Sequence, residues 1–395
     1  MTGFNPPKTF GQPDVLKTIQ PVNLTRILKP CQAFLEAEGV RLPESDEAEI
    51  DYLRLATVLA SPDERMDSDV IEGLHVIGTL GVDDNFDELL DIARRNFIEV
   101  DIDTTAADLA ARIWLEQPQT LQLKDRERMV QRRRKFESFR ARDPEDTVPI
   151  EKLPIDLTNL ELDLDGCFQS KKRGIGCRVV RKDVGAEVHF LIQHGQPCKR
   201  QPSRKGAQST CTFFRPERTD GVIYDTANNE FRVKASGLWD LRLYREKFSL
   251  HLFGDPNKFV YAEKYTLTPL QKLGPAALYC RDVGGMEWVR LKDLEYVWGG
   301  TYDHYERHKA DDVFGALAEE NRSIAAHAEI RRAVFSVKLQ GESGVRSVMI
   351  QPRNIAEYGR GEEAAIIERW LRLRGFVLVG TAAGDERLES VLAVA

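Results

Sequence analysis

Residues 187–234 read EVHFLIQHGQPCKRQPSRKGAQSTCTFFRPERTDGVIYDTANNEFRVK. Short runs of β-branched and aromatic residues are broken here by Gly, Pro and Asn, a pattern of strands and turns rather than a helix. An apolar strand over 188–192 leads into a polar loop, 195–206, that holds Lys199, Arg200, Arg204 and Lys205. The chain returns over 210–214, crosses Arg215-Pro216-Glu217-Arg218, and makes a hairpin from GVIYD, TANN and EFRVK. Further strands are expected at 160–164, where Leu alternates with Glu and Asp, and at 177–181 and 250–253. Together they predict a central antiparallel β domain, a sandwich or barrel-like fold, over 148–268.

The texture before this domain is helical. The spacing predicts helices over 24–38, 47–59, 69–80, 85–96 and 106–116. Asn23, Asp67-Ser68 and Thr104-Thr105 supply start signals, Gly39 and Gly81 supply stops, and Pro30 breaks or kinks the first helix. A very basic helix is expected over 121–142, containing Lys124, Arg126, Arg128, Arg132, Arg133, Arg134, Lys135, Arg140 and Arg142. Asp143-Pro144-Glu145-Asp146 ends it, which sets a helical domain over 1–147. After 268 the pattern mixes: hairpins at 277–291 and 333–350, a mostly helical 313–331, a helix over 362–374, and a strand over 376–379. The fold class is therefore α+β in three parts, with an α+β C-terminal domain over 269–395.

The net charge of −7 conceals a division. Residues 1–123 carry 10 basic and 23 acidic side chains, and residues 124–218 carry 22 and 14, so a head of −13 precedes a middle of +8. Such a middle suits a polyanionic partner, or contact with the acidic head itself. No apolar run approaches the roughly 20 residues that span a bilayer, and the first residues do not resemble a secretory signal. The six cysteines form no C-x-x-C pair. These features predict reduced thiols, a cytoplasmic location and no membrane partner.

No signature names a reaction. Guanidinium groups on the 121–142 helix and cations of the 195–206 loop would neutralise phosphates, with Lys171, Lys172 and Arg173 adding to one rim if the loops emerge together. Phe213, Phe214 and Tyr224 would offer stacking surfaces, or else lie in the core. The bland counterparts are a solvated helix and a solubilising loop. Cys167, Cys177, His189, His194, Cys198 and Cys211 fall in spacings that match no zinc finger, so no metal or other cofactor is expected. Residues 303–308, DHYERH, would put two histidines one helical turn apart, but without the glutamate of a zinc protease. Gly174 and Gly176 lack the third glycine of a dinucleotide loop.

The candidate nucleic-acid-binding set is thus Arg126, Arg132, Arg133, Arg134, Lys135, Lys199, Arg200, Arg204 and Lys205. The resulting expectation is a non-enzymatic, nucleic-acid-associated protein, an accessory or adaptor subunit with a protein partner. Two alternatives remain. One is a pure protein-interaction subunit. The other is a divalent-metal nuclease in which Asp220 and Glu230 hold the ion and Lys234 faces the same side.

Overall fold

A computed structural model describes residues 10–43, 50–60, 65–131, 134–205, 207–299, 301–302, 304–359 and 363–378. The chain divides into two compact units, 1–129 and 130–395. No helix among the described residues is long and apolar enough to cross a membrane.

The first unit is helical. Its elements are α1 (Pro13–Leu16), α2 (Pro21–Leu28), α3 (Gln32–Ala37), α4 (Tyr52–Leu59), α5 (Ser68–Leu80), α6 (Phe86–Arg95), α7 (Ala106–Glu116) and α8 (Pro118–Gln131). The expected break at Pro30 is a 3-10 turn over Lys29–Cys31 between α2 and α3. Asp67 Oδ1 accepts from the Asp69 and Val70 amides, and Thr105 Oγ1 accepts from Asp108 N, so both caps act as their sequence suggests. α5 and α7 pack closely at Gly73, where a Cβ would lie 2.5 Å from Trp114 Nε1.

The second unit is built on β1 (Arg134–Ala141), α9 (Thr158–Ser170), β2 (Arg178–Val184), β3 (Glu187–Gly195), β4 (Lys199–Lys205), β5 (Gln208–Phe214), β6 (Glu217–Asp225), β7 (Glu230–Lys234) and α10 (Leu238–Phe253). It continues through β8 (Phe259–Tyr261), α11 (Thr268–Leu273), β9 (Met286–Gly299), β10 (His304–Lys309), α12 (Val313–Glu319), β11 (Glu329–Leu339), β12 (Val345–Gln351), β13 (Ile355–Tyr358) and α13 (Ala364–Leu373). Among the described residues these strands form an antiparallel sheet in the order β10-β9-β11-β12-β13-β1-β7-β6-β3-β2, with β8 also on β1. The class is mixed α+β, and one sheet runs through the boundary expected at 268.

β1 joins the two halves of that sheet. Phe136 pairs with Ala356 of β13, and Phe139 pairs with Phe231 of β7. Three residues apart on one strand, Phe136 and Phe139 point to opposite faces. Phe139 belongs to the core beneath α9 and α10, whereas Ala356 belongs to the core beneath α13. Helices therefore cover opposite faces of the two halves.

Several expected elements change type. The basic helix stops at Gln131, and Arg134–Ala141 is the central strand β1. The Leu alternation at 160–164 lies in α9, with Leu160 and Leu164 buried but Leu162 65% exposed, as a helical period requires. Residues 250–253 finish α10, whose Leu241, Tyr244, Phe248 and Leu252 face the core. In the last third, 277–281 is no strand, α12 ends at Glu319, and His304 and His308 lie on β10 rather than on a helix.

Candidate nucleic-acid interface

β3 and β6 form a hairpin that outgrows the sheet. Their register runs from Glu187 opposite Asp225 to Gly195 opposite Glu217, and Gln196 N then donates to Pro216 O at 2.8 Å. Beyond that point β4 and β5 pair from Lys199–Phe214 to Lys205–Gln208, in a two-stranded sheet of their own. Residues 196–198 face residues 215–216, three against two, which is the count of a bulge. The ribbon past the bulge is seven residues long, about 23 Å at an extended rise.

This ribbon has no core. Lys199, Arg200, Gln201, Pro202 and Arg204 are exposed, as is all of β5 except the half-buried Cys211. Cross-strand partners share a face, so Lys199 lies beside Phe214 on one face and Arg200 beside Phe213 on the other. Arg204 shares the Arg200 face. Phe213 is 68% exposed and Phe214 40%. Between 199 and 214 there are four basic residues and no acidic one. Among the described residues no carboxylate pairs with Lys199, Arg200 or Arg204.

Specific contacts fix the root of the ribbon. Arg215 Nη1 donates to Lys172 O at 2.6 Å and to Gln196 O at 3.1 Å, which joins the 171–176 loop to the bulge. The exposed Lys171 and Lys172 thus stand at the ribbon's base, the shared rim that the sequence suggested. Gly195 is required there, because a Cβ would lie 2.4 Å from Arg173 O. Arg173 pairs with Asp240 at 2.6 Å, and its guanidinium sits 5.0 Å from the Trp239 ring centre. Inward of the bulge, His194 stacks on Phe168 with ring centres 4.4 Å apart, and its Nε2 lies 3.2 Å from Asp220 Oδ2. Tyr244 Oη donates to the same oxygen at 3.0 Å, and Arg218 Nε donates to Oδ1 at 2.8 Å. Burial pushes the Asp220 carboxyl up, but the hydrogen bond from His194 and the Arg218 charge outweigh it and hold it below the usual range.

The structure parts the residues of the nuclease reading. Gly221 pairs with Lys234 and Asp225 with Glu230, so Asp220 and Glu230 lie at opposite ends of the β6–β7 hairpin. They also face opposite sides of the sheet: Asp220 shares its face with Val222 and Tyr224, and Glu230 opposes the face of Phe231 and Val233. Glu230 Oε1 accepts from Lys264 Nζ at 2.6 Å and lies 3.5 Å from Arg232 Nε. Lys234 Nζ donates to Thr219 O at 2.8 Å. Among the described residues no three His, Cys, Asp or Glu side chains gather as a metal-holding group. His189 lies on Glu187 instead, and burial pushes the Cys177 thiol up to about 12.

Sequence reasoning missed what Arg232 does. Its fully buried guanidinium meets Glu187 at 2.5 Å, Asp225 at 2.8 Å and Glu368 of α13 at 3.4 Å. Burial raises the Glu187 carboxyl, yet the His189 hydrogen bond and the Arg232 charge bring it down to about 2. Strand alternation signals that Glu230, Arg232 and Lys234 share a face, but their partners come from 7 to 136 residues away. Next to Glu230 and Lys264 lies a cavity of about 310 Å³, also lined by Arg140, Asn228 and Arg372.

The remaining candidate residues lie along the 126–135 segment. Arg126 is half-buried on α8, Arg134 begins β1, and Lys135 is exposed on it. Arg132 and Arg133 lie outside the described residues. Lys205 ends β4. Of the three suggested stacking residues, Tyr224 is fully buried, where its Oη donates to Asn229 Oδ1. No model of a known protein family matches the chain, and no curated protein sequence matches it either.

Proposed function

We propose that this chain is a nucleic-acid-associated protein without catalytic activity, which holds a polyanion on the β4–β5 ribbon. One observation carries the reading: Lys199, Arg200 and Arg204 stand exposed on a ribbon whose residues 199–214 also include Lys205 and no acidic residue. Exposed cations left without carboxylates are free to neutralise phosphates and release counterions. The rim of Lys171 and Lys172 extends the positive surface to the root. Arg126 and the run Arg132, Arg133, Arg134 and Lys135 form the second part of the proposal, and a protein partner completes an accessory role.

The test replaces Lys199, Arg200, Arg204 and Lys205 together by Ala and titrates a labelled 20-nucleotide strand and a 20-base-pair duplex at several salt concentrations. The wild type binds at low salt. The variant binds more weakly, with a log–log salt slope shallower by about 3, near 0.7–0.9 for each phosphate no longer neutralised. A wild type with no affinity at low salt overturns the reading, as does a variant with unchanged affinity and slope.

A further inference from the structure

We infer that the ligand of the ribbon is an unpaired strand of nucleic acid, whose bases stack on Phe213 and Phe214. This rests on the proposal that the ribbon holds nucleic acid, and it adds the form of that ligand. The observation is the placement of the rings. Each lies across the ribbon from a cation, Arg200 beside Phe213 and Lys199 beside Phe214, on opposite faces. Neither ring fills a core, since the ribbon has none.

A phenyl ring carries no hydrogen-bonding group, so it reads nothing on a base edge. What it offers is a flat face, and a nucleobase answers with its own π face. In a duplex those faces are already occupied by the neighbouring base pairs. In a single strand they are open, and the adjacent guanidinium or ammonium meets the phosphate of the stacked nucleotide. On the Phe213 face, Arg200 and Arg204 lie four residues apart, about 13 Å along the ribbon. They mark a backbone track that runs from the ring at the root towards the tip. The duplex alternative, with the ribbon laid in a major groove about 12 Å wide, uses the same cations but gives the rings no partner beyond a thymine methyl.

The experiment compares wild type, Phe213→Ala with Phe214→Ala, and Phe213→Tyr with Phe214→Tyr. Each is titrated by fluorescence anisotropy against labelled oligo-dT of 20 nucleotides and a 20-base-pair duplex. Circular dichroism and thermal melting of each variant establish that the fold is kept. The expected result is a preference of the wild type for the single strand. The double Ala variant loses about tenfold or more of that affinity for each contributing ring, with an unchanged salt slope and duplex binding within about twofold. The Tyr variant keeps single-strand binding. An equal loss on both ligands overturns the inference, as does no loss on either or a wild type that prefers duplex. If the charge variant weakens binding while the double Ala variant does not, stacking fails and the charge reading stands. If neither ligand binds the wild type, the proposed function fails first.

Discussion

Two hairpins meet at β6 and bring their cations to opposite ends. β4–β5 and β6–β7 are both antiparallel and both short, and each carries three or four basic residues. In β6–β7, Arg232 is buried among Glu187, Asp225, Glu230 and Glu368, and Lys234 is held by Thr219 O. In β4–β5, Lys199, Arg200 and Arg204 stand in solvent. The difference lies in the carboxylates that β6–β7 carries on its own strands and in what lies across the sheet. β6–β7 has β1 on one side and β3 on the other, and α13 brings a carboxylate over it. β4–β5 has left the sheet at the bulge and has no third neighbour. Buried cations belong to the architecture, and exposed cations without partners remain available to a ligand.

Removing the buried cation is the hardest test of that contrast. Arg232→Met removes the guanidinium that Glu187, Asp225, Glu230 and Glu368 share, and it should cost about 3–5 kcal/mol of unfolding free energy in urea titrations. A loss below about 1 kcal/mol would mean that the cluster relaxes into solvent and that the two hairpins differ less than their burial says. A smaller effect concerns acid. Folded Glu187 titrates at about 2 against an ordinary 4.5. Its contribution to stability is therefore complete above pH 4.5 and is lost as pH falls towards 2. Glu187→Gln should flatten this part of the stability–pH curve, and a variant whose curve matches the wild type between pH 2 and 4.5 would break the assignment. The smallest effect belongs to the ribbon. Its four-Ala variant should melt within a degree or two of the wild type, a change of about 0.5 kcal/mol or less. A larger loss would place those cations in the architecture after all.

Much of the ribbon and its neighbours was legible. The strands at 188–192, 210–214, 221–225 and 230–234 all lie within observed strands, because β-branched residues between Gly, Pro and Asn leave little choice. Basic 199–205 read as a loop and is a strand, since nothing apolar marks a ribbon that buries nothing. β1 was hidden for the opposite reason. Its Arg and Lys look helical beside α8, and only the partners of Phe136 and Phe139 reveal a strand buried on both faces. Leu160, Leu162 and Leu164 fit a period of two over five residues. The arbiter is Phe168, which extends Leu160 and Leu164 into a four-residue spacing. The partners of Arg232 could not be read at all, because Glu187, Asp225 and Glu368 come from different elements of the sheet and its covering helix. Of the proposed nuclease set, the shared face of Glu230 and Lys234 followed from alternation, but the side on which Asp220 falls depended on register.

A two-stranded ribbon has two open edges, each a row of backbone donors and acceptors ready to template another copy. The uninterrupted positive charge of β4–β5 bears directly on this hazard. Two ribbons zipped edge to edge would bring eight cations together with no acid among them, and cations facing each other across the seam would fall within the roughly 10 Å screening length of 0.1 M salt. Pro202, in the middle of β4, also removes one amide from the row. The composition proposed to suit a polyanion would thus also oppose pairing of this arm with a second copy of itself.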